Sequence, residues 1–303
     1  MNIKRVCAKV SLATAVPLAS FIGLVWPSES QASDAFLWEV ESPENTVYLL
    51  GSIHLLRETD YPLPESIQQA FEEAETVVFE ADLSTLESLD TVETIIQIAL
   101  PDSPEESLVN ALDADTYRLA EAAAASLGLP MQGVDNFEPW FFFTGLSGLK
   151  LMQLGFEPDY GIDSYFFEQA NLANKDIRVF ETVEEQLNFL DELSIDVQVE
   201  IVEQTILELE TLSSSTNLLV DAWKTGNVAD FERLILEGFA DFPEAYDALL
   251  VQRNQNWLAD IESFINQSED YLVIVGAAHL VGEDSVVKLL QDKGHTVEQL
   301  GSN

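Results

Sequence analysis

Apolar positions recur along this chain with two periods, and their order outlines an α/β protein. Residues 36–40 (FLWEV) and 46–50 (TVYLL) read as strands joined by the turn-rich ESPEN of residues 41–45, which predicts a β-hairpin. Pro64, Glu65 and Ser66 open a short amphipathic helix to Ala74, and residues 75–80 (ETVVFE) return as a strand. Helical spacing follows over 84–100 and over 113–127, the latter with Asp113 as N-cap and Gly128 as its stop. Residues 139–156 are the most apolar stretch of this region. Lys150, Gly145, Gly148 and Gly155 interrupt it, so a buried helix is expected rather than a membrane span. A helix over 162–173, a strand over 177–180, a helix over 183–193 and further acidic helices to Ile265 come next. The chain closes with a strand at 271–275, a helix over 284–292 stopped by Gly294, and an edge strand at 296–300.

No linker-like segment or fixed-period repeat divides residues 33–303, so one globular unit is expected, with 47% hydrophobic residues to fill its core. The predicted class is α/β: a mixed sheet flanked by many helices, with ligands bound at the carboxyl ends of the strands. The first 32 residues differ. Lys4, Arg5 and Lys9 precede an almost uncharged run, and Ser30-Gln31-Ala32 supplies small residues for a signal peptidase. Cleavage after Ala32 and a periplasmic or secreted mature chain are expected. An uncleaved anchor is the alternative, weakened by Pro17, Ser11, Thr14 and Ser20, and no stable transmembrane span follows cleavage.

A net charge of −41 makes nucleic acid an unsuitable partner. The single cysteine, Cys7, lies in the leader, so disulfides, thiolate ligands and cysteine nucleophiles are excluded from the mature chain. No H-E-x-x-H, Walker A or dinucleotide-binding pattern occurs, and Gly145-Leu146-Ser147-Gly148 is followed by Leu149, which denies it the spacing of a nucleophile elbow.

Chemistry gathers instead at strand exits. Gly51-Ser52-Ile53-His54-Leu55 and Gly276-Ala277-Ala278-His279-Leu280 each follow an apolar strand, so two of the three histidines share one placement. Gly51 and Gly276 let the backbone turn or approach another group closely. His295, after Gly294, reads as a solvated turn residue. A third exit carries Glu80 and Asp82, which would share a face if the strand continues through them. Two imidazoles and a carboxylate form an open ligand set for a divalent metal ion such as zinc, manganese, cobalt or iron.

With these residues in place, the chain resembles the TraB/GumN family, which includes the animal Tiki proteins. The resemblance runs through Gly51-Ser52-Ile53-His54, Phe79-Glu80-Ala81-Asp82, Gly161-Ile162-Asp163, Glu181-Thr182 with Gln186, Arg253-Asn254 and Gly276 to Gly282. It implies a metal-dependent protease site at His54, Glu80 and His279, with Arg253 as an anion-stabilising group. It also implies kinship with erythromycin esterases and haem-binding ChaN-like proteins. The expected activity is hydrolysis of a peptide or small acyl substrate by a metal-activated water, with Glu80 as either ligand or general base. Asp163 and Asn254 are expected in supporting or binding roles. The alternative is a non-catalytic protein that binds haem or a metal, or sequesters a peptide.

Overall fold

The computed structural model describes residues 34–301 except Glu87; the predicted leader, and with it Cys7, lies outside the described residues. One six-stranded mixed sheet organises the chain. Its strands are β1 (Asp34–Glu41), β2 (Thr46–Ser52), β3 (Thr76–Ala81), β4 (Asp176–Glu181), β5 (Tyr271–Gly276) and β6 (Val297–Gly301), in the order β4-β3-β5-β2-β1-β6. β2, β5, β3 and β4 are mutually parallel, while β1 runs antiparallel to both β2 and β6. The expected hairpin is β1-β2, and the expected closing edge strand is β6.

Parallel strands covered on both faces need continuous apolar sequence, and β5 (YLVIVG) is buried along its whole length. From β3 the chain crosses outward to β4, whereas β5 lies between β3 and β2 and leads on to β6 at the opposite edge. The connections therefore diverge between β3 and β5. Ligands bind at such a switch point, outside the carboxyl ends of the strands.

The α-helices longer than four residues are α1 (Glu65–Glu73), α2 (Leu89–Ile98), α3 (Ala114–Ser126), α4 (Pro139–Gln153), α5 (Ile162–Ala173), α6 (Val183–Asp191), α7 (Ile195–Glu208), α8 (Leu212–Lys224), α9 (Val228–Phe239), α10 (Gln252–Ile265) and α11 (Val286–Asp292). Between β4 and β5 the chain is almost wholly helical. α2 is shorter than the apolar spacing predicts because two side chains cap in succession: Asp82 accepts from the Ser84 amide, and Ser88 from that of Thr91. α4 stops before Gly155, and Gly128 and Gly294 follow α3 and α11, all three at positive φ. Asp113 caps α3 as expected. α4 buries Trp140, Phe141, Phe142 and Phe143, and no helix among the described residues is long and apolar enough to cross a membrane.

Candidate functional site

The strand register brings the site residues level. Ser52 of β2 lies beside Gly276 of β5, and Ala81 of β3 beside Glu181 of β4. His54 lies just beyond β2, Glu80 is next to last in β3, and His279 occupies the turn Ala277–Leu280 after β5. Helices complete the ring with Asp163 in the first turn of α5, Gln186 on α6, and Arg253 and Asn254 at the start of α10. A π-turn over Asp247–Val251 leads into α10, a distortion that often marks functional sites.

Arg253, only 3% exposed, is the hub. Its Nη2 donates to Glu80 Oε2 at 2.7 Å and to Glu181 Oε2 at 2.9 Å, and its Nε to Glu181 Oε1 at 3.1 Å. Its Nη1 reaches the Leu249 carbonyl at 3.3 Å and His279 Nε2 at 3.2 Å. Every guanidinium hydrogen is thus engaged. Because Arg only donates, Nε2 must be the lone-pair nitrogen of His279. Asn254 agrees: its Nδ2 donates to the Asp284 carbonyl at 2.8 Å, which turns its Oδ1 toward His279 Nδ1 at 2.7 Å, so Nδ1 carries the proton. Burial and the Arg253 charge together push His279 down to about 3, and it is neutral at ordinary pH.

Glu80 accepts from the Gly276 amide at 2.6 Å through Oε1, and from Gln186 Nε2 at 2.8 Å as well as Arg253 through Oε2. Burial favours its neutral form, but the Arg253 charge and these hydrogen bonds prevail and hold the carboxyl far below its usual range. Glu181 takes a further 2.8 Å bond from Trp257 Nε1, and burial raises its pKa against the pull of Arg253.

His54 lives under the opposite field. Its Nδ1 lies 2.8 Å from Asp163 Oδ2, and its side chain is 20% exposed. Burial disfavours the imidazolium, yet the charge and hydrogen bond of Asp163 override that and lift the pKa to about 9. Asp163 is set in place by the backbone: Ile162 N donates to the Ile53 carbonyl at 3.0 Å. Gly161 sits so close beneath His54 that a Cβ there would run into the His54 carbonyl.

The two fields meet above Gly276. A Cβ on that glycine would lie 3.3 Å from Glu80 Oε1, 3.5 Å from His279 Cδ2 and 3.6 Å from His54 Nε2, so the missing side chain leaves a small space walled by all three groups. This space forms the floor of a cavity of about 170 Å³ with walls that include Leu151, Leu219, Phe231, Ile235, Phe239 and Leu250.

The six chemical residues expected from sequence, His54, Glu80, His279, Arg253, Asn254 and Asp163, therefore come together. Gly276 shapes the floor, whereas Gly51 lies under Phe36 and offers its carbonyl to Trp223 Nε1 at 2.6 Å, a packing role. β3 ends at Ala81, so Asp82 caps the next turn and does not share a face with Glu80. His295 pairs weakly with Glu262 at 3.7 Å, away from the site. Sequence reasoning left Glu181, Gln186 and Trp257 out of the site. The Glu181-Thr182 and Gln186 pattern marks the first two, and nothing in the sequence marks Trp257.

As a metal centre the donor set fits poorly. His54 Nε2 and Glu80 Oε1 face the space above Gly276, but His279 presents a carbon there and its lone pair is committed to Arg253. Among the described residues no group of three His, Asp or Glu side chains is arranged to hold an ion.

Fold and site together define an α/β protein with a histidine, carboxylate and arginine cluster at parallel strand ends. The chain belongs to the TraB/PrgY/gumN family, whose model matches residues 36–299. It is 23% identical to the Escherichia coli protein YbaP, described as uncharacterized, over 80% of this chain and 87% of that protein. It is also 23% identical to metalloprotease TIKI2 of Danio rerio, over 90% of this chain and 62% of that protein. For metalloprotease TIKI1 of Homo sapiens the identity is 22%, over 90% and 63% of the two chains. This chain thus spans about three fifths of the length of these TIKI relatives.

Proposed function

We propose that this protein is a hydrolase that adds water to the carbonyl of a peptide or other acyl substrate bearing an apolar group, and that it acts outside the cytoplasm after removal of its leader. One observation carries the reading: Glu80 Oε1 and His54 Nε2 face each other across the space above Gly276, with Arg253 favouring the ionised carboxylate and Asp163 the protonated imidazole. Glu80 is then free to accept a proton and His54 to give one at neutral pH. A water above Gly276 loses its proton to Glu80 Oε1 as it attacks. His54 Nε2–H polarises the carbonyl and then protonates the leaving group, while Asp163 stabilises the imidazolium. Arg253 has no donor left for an oxyanion and is a positioning residue that keeps Glu80 ionised and aimed. Asn254 does the same for His279. The apolar walls take the substrate's side group and thin out the competing water.

The test is hydrolysis of p-nitrophenyl acyl esters and fluorogenic peptides by the purified mature chain. Glu80→Gln and His54→Asn should each lower kcat by about 10²-fold or more with the circular dichroism spectrum unchanged. Wild-type inertness toward both probe classes, or variants as active as wild type, would refute the proposal.

A second reading follows from the relatives named metalloproteases. A zinc, manganese or cobalt ion would be held by His54 Nε2 and Glu80 Oε1, with His279 joining only after Arg253 releases it, and would supply a Lewis acid. Metal analysis of the purified protein tests this directly. Haem gains no support: the cavity of about 170 Å³ is small, and His279 Nε2 is already engaged.

A further inference from the structure

Of the buried side-chain oxygens and nitrogens without a partner among the described residues, Ser52 Oγ alone belongs to a residue that lines the site cavity. Ser52 is only 3% exposed, and its hydroxyl makes no hydrogen bond to any protein group, His54 included. Leaving a hydroxyl unpaired in an apolar setting is costly, and an alanine would avoid that cost with little change of shape. The other unpartnered groups either lie elsewhere, such as Thr76 at the start of β3, or are half engaged, such as Gln186, whose Nε2 holds Glu80.

Position gives the orphan its meaning. Ser52 is the register partner of Gly276, so the two Cα atoms stand about one strand spacing, ~4.8 Å, apart, and both residues line the cavity whose floor is walled by Glu80 Oε1 and His54 Nε2. A carbonyl carbon seated above Gly276 would have a neighbouring strand's hydroxyl beside it on the cavity wall. We propose that Ser52 Oγ–H is the cavity's hydrogen-bond anchor for the substrate carbonyl, donating to the oxygen on which negative charge develops. The proposal rests on the hydrolase reading for its chemistry, though the carbonyl-binding part stands without turnover. Ser52 forms no covalent bond in this scheme. No base is hydrogen-bonded to its hydroxyl, and the attacking oxygen comes from water.

The experiment has one arm that needs turnover and one that does not. In the first, Ser52→Ala should lower kcat on a p-nitrophenyl acyl ester by about 10²-fold and raise KM by about five- to tenfold, and Ser52→Thr should recover most of both. In the second, calorimetry measures binding of octanamide, an apolar chain with one unreactive carbonyl. Ser52→Ala should bind it about five- to tenfold more weakly than wild type or Ser52→Thr. The melting temperature of ligand-free Ser52→Ala should match or exceed that of wild type, because an unpaired hydroxyl has been removed. Equal octanamide affinity in wild type and Ser52→Ala, no binding by wild type, or a clear fall in melting temperature would each overturn the proposal. Loss of hydrolysis in every protein with the octanamide difference intact would sink the hydrolase reading and leave the carbonyl anchor standing.

Discussion

His54 and His279 leave parallel strands through the same Gly-x-x-His-Leu sequence, yet one is lifted to about 9 and the other lowered to about 3. The strand exits themselves are alike. What differs is the partner that a distant helix delivers: α5 brings the carboxylate of Asp163 to the first, and α10 brings the guanidinium of Arg253 and the amide of Asn254 to the second. A shared motif therefore fixes where an imidazole stands, while the helices decide what it can do. One histidine becomes a proton donor facing the cavity. The other becomes a neutral bracket with its lone pair spent on Arg253.

The sharpest way to break this contrast is to remove the cation. Arg253→Met leaves Glu80 and Glu181 buried without their partner and should cost about 3–5 kcal/mol in urea unfolding. In any folded fraction, His279 should titrate closer to 6.5 by NMR; a variant as stable as wild type would show that the guanidinium does not organise the site. Next in size, His54→Asn should lower hydrolysis by about 10²-fold in protein that still folds, with a fall in melting temperature confined to pH below about 9, where the His54 charge is present in wild type. His279→Asn should act chiefly by loosening Arg253, with a drop in melting temperature. Equal and purely catalytic losses in the two variants would restore the symmetry that their sequences suggest.

The pH profile sharpens the comparison further. His54 is raised from 6.5 to about 9, so its charged form contributes stability fully present below about pH 6.5 and lost as pH rises through about 9. Hydrolysis and melting temperature should fall together over that window. Asp163→Asn should pull the falling limb toward 6.5 and cost about tenfold in rate at pH 8; activity that instead climbs through pH 9 would make His54 a base. Smallest of all, exhaustive chelation should change the rate less than about twofold, because only two donors, His54 Nε2 and Glu80 Oε1, face the space above Gly276, fewer than the three protein ligands a catalytic metal ordinarily takes. Loss of activity on chelation, restored by zinc, manganese or cobalt, would favour the metal reading.

Much of the fold could be read locally. The β1-β2 hairpin, the glycines that follow α3, α4 and α11, and the edge strand β6 depend on period and turn chemistry within a few residues. The exception over residues 84–100 arose because capping by Asp82 and Ser88 competes with helical spacing. In the site, the repeated Gly-x-x-His pattern marks both histidines, and the third strand exit marks Glu80. Their pairings stay hidden. Asp163 lies 109 residues from His54 and Arg253 lies 173 from Glu80, so no local pattern states which charge each group meets. The roles of Glu181 and Trp257 stay hidden for the same reason: Glu181 acts by pairing with Arg253, and Trp257 by donating to Glu181 and packing on His279.

Gly161 carries a consequence for how this protein can vary. The His54 carbonyl fills the place where any larger residue would put its Cβ, so the seat of α5 against the β2 exit is set by an atom that is not there. Replace that glycine with alanine and the helix must back away, drawing Asp163 off the imidazole although neither reacting group has been touched. The proton affinity of His54 is thus held by steric tolerance at an adjoining backbone position that carries no chemistry of its own. Mutational drift there would retune the working pH of the protein before it dismantled the fold.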